Sequence, residues 1–281
     1  MNIKFKRSES FYIRDGWFQK AIHAINKSNE NIFSKNRGVE VLGIGSNMVK
    51  GLKYWLSTSD VIESNSSMTK LSKFGSLLLK YDPYLEDDFS WFLIHLNICR
   101  KFEDAPIFNQ VFNRAPIVFE KNDMIQVIVE LIREMDASQD LKSNYVAEDM
   151  NVFLKTYTIE DKEGNPEDNY ICPLSTLGLI EKKKDLYYKR RPKYAKLSYL
   201  IVYYALLLEY KKSFTIEDSI KDFNSPVLLF NLDKNMFIQY LDEMRKEGLI
   251  TINKTAGLNT VYFEEKLTLE QIFKKHFGGK L

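Results

Sequence analysis

"VLGIGSNMVKGLKYWLSTSDVI", residues 41–62, is the stretch whose reading decides the fold. Two glycines, Gly43 and Gly45, stand before a short amphipathic run that gives way to polar residues. Such a pair either cradles phosphate or makes the turn of a helix-turn-helix. A Walker-type loop needs GxxxxGK followed by Ser or Thr, so that backbone amides and a lysine converge on phosphate. Here only Gly43-Ile44-Gly45 is present, no clear strand precedes it, and Lys50 falls inside the helical run. A GxGxxG dinucleotide loop fails as well, because Met48 stands at the third glycine position.

The turn reading fits better. The periodicity predicts a helix over 35–42 that ends at Gly43, the residue type suited to a left-handed position after a helix. Ser46 is then placed to cap a second helix over 47–57. On that helix Met48, Leu52, Trp55 and Leu56 share an inward face. Asn47, Lys50, Tyr54 and Ser57 share the opposite one, flanked by Ser46 and Lys53. Amide, hydroxyl and ammonium groups with no acid among them are what a recognition helix offers to groove edges and phosphates. The following "DVIESNSSMTKLSKFGSLLLKYD" (60–82) reads as a strand, a polar wing carrying Lys70 and Lys73, and a returning strand. That makes a winged helix. The same shape also serves for packing or for docking a protein, since a fold does not fix its function.

The bulk composition narrows the partners. The 281 residues are enough for a sizeable core and for two compact units. Hydrophobic content of 44% and charged content of 28% are those of a soluble protein. Forty Lys and Arg against 38 Asp and Glu give no global positive field, so any nucleic-acid contact must come from local patches. Cys99 and Cys172 are far apart and form no CxxC pair, which points to a reducing cytoplasm and away from structural zinc. The N-terminus lacks a secretory apolar stretch, and apolar runs such as "YLIVYYALLL" (199–208) are too short to span a bilayer. No membrane association is expected.

Helical periodicity dominates the chain, with few strand signals: 61–63, 77–81, 249–253 and 261–264. The expected organisation is an N-terminal winged helix-turn-helix over 1–85 and a helical middle region over 86–157. A connection over 158–196, first acidic and then basic, leads to a C-terminal winged-helix-like unit over 197–281. The fold class expected is therefore mainly α with a minor β component, a winged helix-turn-helix at each end. In the C-terminal unit the third helix (234–247) buries Phe237, Tyr240, Leu241 and Met244 but shows Asp242 and Glu243 outward. Those two carboxylates would repel a phosphate backbone, so this unit suits a protein contact or a structural role.

Three further groups bear on chemistry. "KKKDLYYKRRPKYAK" (182–196) holds eight basic residues, one acid and three tyrosines, densest at Lys189, Arg190, Arg191 and Lys193. Cations neutralise phosphates and tyrosines stack on unpaired bases, yet the run also reads as a solvated linker balancing the acidic stretch before it. "YDPYLEDDFSWFLIHLNICR" (81–100) brings Asp82, Glu86, Asp87, Asp88, His95 and Cys99 close in sequence, and the least favoured reading is a metal-dependent enzyme centred on Asp82, Glu86 and Asp87. Turn and helix-cap roles account for the acids, and a core position accounts for His95 and Cys99, one turn apart on an apolar helix. No HExxH-type ligand spacing occurs, and neither His23 nor His276 has an evident Ser or Cys partner. No metal, cofactor or catalytic residue is expected.

Several stretches, in this order, resemble a known family: "SFYIRDGWFQKAI", "LGIGSNMVKGLKYWL", "DPYLEDDFSWFLIH", "DMNVFLKTYT", "CPLSTLGLI", "RRPKYAKLSYLIVYYALL" and "TAGLNTVYF". It is the bacterial domain-of-unknown-function family number four thousand and seven, and the likeness runs from about Phe11 to about Phe277. Family members tend to carry an RGPKP-like run where this chain has "RRPKYAK". The resemblance implies no activity. It implies a place in a bacterial DNA-modification or phage-defence system, as its DNA-binding subunit or regulator.

The expectation is thus a non-enzymatic, cytoplasmic protein that binds DNA, duplex rather than single-stranded. Its contacts would be Ser46, Asn47, Lys50, Lys53, Tyr54, Lys70, Lys73, Lys189, Arg190, Arg191 and Lys193. The alternative is an adaptor whose winged helices dock other subunits of a defence complex.

Overall fold

The structure is a computed structural model that describes residues 3–28, 31–34, 37–64, 68–135, 143–159, 171–255 and 258–278. The chain divides into two compact units, Met1–Arg190 and Arg191–Leu281. The turn-rich Gly164-Asn165-Pro166 of the expected acidic connection and the tip of the expected wing at 65–67 lie outside the described residues.

The first unit opens with α1 (Trp17–Lys27), α2 (Arg37–Leu42) and α3 (Ser46–Thr58). A two-stranded antiparallel hairpin follows, β1 (Ile62–Ser64) with β2 (Thr69–Leu71). The chain then returns to helix in α4 (Lys73–Tyr81), α5 (Asp88–Cys99) and α6 (Pro106–Arg114). Strand β3 (Val118–Glu120) leads directly into α7 (Lys121–Met135), and α8 (Ser143–Tyr157) follows. A short 3-10 helix, Pro173–Leu177, precedes the hairpin β4 (Ile180–Lys183) and β5 (Leu186–Lys189). β3 joins that hairpin to form an antiparallel sheet of order β3-β5-β4.

α5 is the core of this unit because it is apolar on nearly every side, which only a central helix can satisfy. Its start is fixed by carboxylates. Asp87 accepts from the Phe89 amide at 2.9 Å, and Asp82 accepts from the amides of Glu86 (2.9 Å) and Asp87 (3.2 Å) and from the Ser90 hydroxyl (2.6 Å). His95 and Cys99 are fully buried, as their apolar helix predicts. The imidazole Nδ1 lies 2.6 Å from the Tyr157 hydroxyl, among the rings of Phe112, Phe153 and Phe108. Burial pushes the Cys99 thiol well above its ordinary range and the Cys172 thiol up to about 12, so both remain neutral thiols.

The second unit contains α9 (Tyr199–Glu209), β6 (Ser213–Thr215), α10 (Ile216–Ser219), α11 (Pro226–Leu229) and α12 (Lys234–Lys246). The hairpin β7 (Ile250–Thr255) and β8 (Leu258–Phe263) follows, then α13 (Leu269–Phe277). β6 pairs with β8 to give an antiparallel sheet of order β6-β8-β7. Asp233 caps α12 by accepting from the Met236 amide at 2.8 Å, and a Thr268/Gln271 capping box starts α13.

The expected architecture, a winged helix-turn-helix at each end of a helical middle, is overturned. Among the described residues the chain forms thirteen α-helices and three small antiparallel sheets. At the N-terminal end the returning strand expected over 77–81 is the second half of α4. Ser72 caps that helix, accepting from the Gly75 amide at 2.9 Å, and Phe74, Leu77 and Leu78 recur at helical spacing on the buried side. The hairpin before it is held to two three-residue strands. At the other end, the single helix expected over 215–223 is cut to the four residues of α10, and β6, read as loop, supplies a third strand. Among the described residues no helix is long and apolar enough to cross a membrane.

Candidate nucleic-acid interface

α3 is delivered by the expected turn. Gly43 takes a left-handed φ of 66°, and its amide donates to the Val39 carbonyl at 3.0 Å to close α2. Gly45, not Ser46, is the N-cap of α3, and no side chain caps that end among the described residues. Ser46 is the first helical residue. The first turn has no acid, and Ser46, Asn47 and Lys50 are all exposed, with the Lys50 ammonium 3.3 Å from the Asn47 side-chain oxygen. Backbone N–H groups at an uncapped helix start carry partial positive charge and favour anions. This turn can therefore offer amides, a hydroxyl, a carboxamide and an ammonium to one phosphate or groove edge.

The second turn of α3 is largely occupied. The N-terminal segment crosses it so closely that a Cβ on Gly51 would stand 2.6 Å from the Ser8 carbonyl oxygen. The Trp55 indole donates to the Phe11 carbonyl at 2.9 Å. Tyr54, expected on the outward face, donates its hydroxyl to the Asp104 carbonyl at 2.9 Å. Burial, then the nearby Asp149 carboxylate, holds that phenol well above its ordinary range. Lys53 is half-buried, its ammonium 5.8 Å from the centre of the Phe33 ring. Inward, Val49, Leu52, Trp55 and Leu56 are buried, while Met48 is only half so.

Asp149 is the unusual titratable group beside Tyr54. It accepts from the Lys6 amide at 3.0 Å and 3.2 Å. Burial raises its carboxyl to about 6 against the opposing pull of that amide bond.

The other expected contacts fall in different places. Lys70 is exposed and pairs at 3.1 Å with Glu63, its cross-strand neighbour in the hairpin. Lys73, at the start of α4, and Lys193 are exposed, and neither has an ion-pair partner among the described residues. Lys189 is an internal cap. Its ammonium donates to the carbonyls of Phe112 at 2.6 Å and Ala115 at 3.4 Å, at the end of α6, and burial lowers its pKa to about 8. Arg190 stacks over Tyr188 (5.1 Å) and pairs with Glu181 at 2.6 Å, and Arg191 pairs with Asp233. Tyr194 donates to Glu243 at 2.6 Å and stacks on Tyr240. The structure thus leaves Ser46, Asn47 and Lys50 open at the start of α3, engages Lys189, Arg190 and Arg191 with separate partners, and leaves Lys193 without an ion-pair partner among the described residues. Sequence reasoning missed Asp104, Asp149 and the 3–13 segment, whose approach to α3 has no local signature.

Asp82, Glu86 and Asp87 do not converge as ligands, since the Asp82 carboxylate is filled by the amides of the other two. Among the described residues no group of three or more His, Cys, Asp or Glu is placed to hold a metal ion.

A family model described as "Protein of unknown function (DUF4007)" matches residues 5–277. Two solved structures share the fold at 22% identity, each covering 98% of this chain and 88% of the other. They are a magnesium ion-bound SspB crystal structure with a TM-score of 0.85 and an SspB crystal structure with a TM-score of 0.84. No curated protein matches the chain.

Proposed function

From the premise that the chain belongs to the DUF4007 family of proteins of unknown function, we propose that it is a DNA-contacting, non-catalytic subunit or regulator of a bacterial DNA-modification or phage-defence system. The setting is what the family resemblance implies. The observation that carries the DNA contact is the open start of α3, uncapped, free of acid in its first turn, with Ser46, Asn47 and Lys50 all exposed. Helix starts of this composition bind phosphate, and an amide beside an ammonium reaches base edges as well as the backbone. Lys53, Lys70 and Lys73 of the first unit and, separately, Lys193 of the second are the remaining cations of this reading. Arg190 and Arg191 join it by exchanging an exposed carboxylate for a phosphate, an exchange of low cost because exposed pairs contribute at most about 1 kcal/mol.

Titrating the full chain with duplex and single-stranded DNA of one sequence, at several salt concentrations, tests the proposal. Tighter binding to the duplex, weakening steadily with salt, is the expected result. Absent binding, or binding indifferent to salt, refutes it.

A further inference from the structure

β3 is an outer strand of the β3-β5-β4 sheet. The Lys189 amide donates to the Ile117 carbonyl at 2.8 Å, and Val118 stands opposite Tyr188 in the register. Antiparallel alternation therefore turns the N–H and C=O of Val118 away from β5. The side chains there are unusually open: Ile117 is 73% exposed and Val118 41%. On the adjoining helix Val127 (47%) and Met135 (48%) also face solvent. Between β3 and α7 lies an open hollow of about 300 Å³, lined by Pro116, Val118, Met124, Val127 and Leu186 among others. Single exposed apolar residues need no account, but a cluster beside an unpaired strand edge marks an interaction surface.

The charge of that surface selects the partner. Glu120 and Asp123 rim the hollow, and Glu130 and Glu134, at i+3 and i+7 from Val127, continue the same side of α7. All four are exposed, and among the described residues none has an ion-pair partner. Four carboxylates repel a polyanion, so this face is not a nucleic-acid surface. We propose that it binds an extended segment of a partner protein in which apolar and basic side chains alternate. The segment adds as a strand to the outward groups of Val118, sets an apolar side chain in the hollow and brings its cations over Glu120 and Asp123. The proposal goes beyond the DNA reading and stands without it.

The probe is a fluorescein-labelled, blocked heptapeptide of alternating lysine and valine, titrated into the full chain and followed by anisotropy. Saturable binding is expected, with none for the matching peptide of alternating glutamate and valine. The double variant Glu120→Lys/Asp123→Lys is expected to bind at least about fivefold more weakly, the scale of two exposed charge pairs. Val118→Pro removes an N–H that faces solvent, a change an edge strand tolerates, and Val127→Asp places a charge in the hollow. Both are expected to weaken the peptide while preserving the thermal melt, and binding of duplex DNA is expected to be unchanged by Val118→Pro, which alters no charge. The proposal is overturned by no saturation up to about 1 mM, an affinity so weak that it has no specificity. Equal binding of the acidic peptide, or indifference to all the variants, overturns it too. So does self-association that Val127→Asp abolishes in a chain the basic peptide fails to bind, because a second copy then covers the edge.

Discussion

The ammonium of Lys189, at the end of β5, donates to the carbonyl oxygen of Phe112, 2.6 Å away in the last turn of α6. A lysine from the densest basic stretch of the chain is thereby spent on closing a helix, and its pKa falls to about 8 because burial penalises the charged form.

This depression has a definite sign in the pH dependence of stability. The unfolded chain holds the Lys189 proton up to its ordinary pKa near 10.5, while the folded chain releases it near 8. Unfolding therefore takes up a proton between those values, and stability rises with pH across the window. Chemical denaturation of the protein and of Lys189→Met at pH 7.5, 9 and 10.5 measures it, with pH values chosen around that window. The difference is expected to shift in favour of the parent by up to about 3 kcal/mol. A pH-independent difference contradicts the buried cap.

Asp149 shifts the other way. Its folded pKa of about 6 lies above its ordinary value of 3.8, so the folded chain binds the proton more readily. Between those values stability falls as pH rises. Comparing melts of the protein with those of Asp149→Asn from pH 4 to pH 7 isolates this contribution, expected at about 1–3 kcal/mol. Parallel curves for the two proteins would show that Asp149 is not buried against Tyr54 and the Lys6 amide.

Tyr54→Phe separates a structural tyrosine from a recognition tyrosine. Loss of the bond to the Asp104 carbonyl is expected to cost about 1 kcal/mol of stability and to leave duplex affinity within about twofold. Measured by denaturation and by DNA titration, the reverse pattern would put the phenol at the nucleic acid.

Gly51→Ala tests how closely the N-terminal segment crosses α3. Helix propensity alone favours alanine by about 1 kcal/mol. A Cβ there would stand 2.6 Å from the Ser8 oxygen, so a net loss of about 1–3 kcal/mol is expected in denaturant unfolding. A stabilised variant would mean that the segment does not lie on this face.

What the sequence revealed was local. Gly43 between two helical runs announced its left-handed turn, and the apolar circumference of the 88–99 run announced a central helix with His95 and Cys99 inside. The strand read over 77–81 failed because "FGSLLLKY" is apolar at both two-residue and helical spacing, and the Ser72 cap decided for the helix. On α3 the exposure of Ser46, Asn47 and Lys50 was legible in the sequence, and the engagement of Lys53 and Tyr54 was not. Tyr54 lies 50 residues from Asp104, and Lys189 lies 77 from Phe112, so no local pattern revealed that their polar atoms were already engaged. A charge run in sequence says nothing of which cations the fold will use internally.

The open turn of α3 is tested most directly by duplex DNA affinity as a function of salt for the protein and for Lys50→Glu. The account predicts weaker binding at every salt concentration and a log–log salt slope shallower by about 1, the loss of one phosphate contact, with an unchanged melt. Equal affinity and equal slope for the two proteins would contradict it.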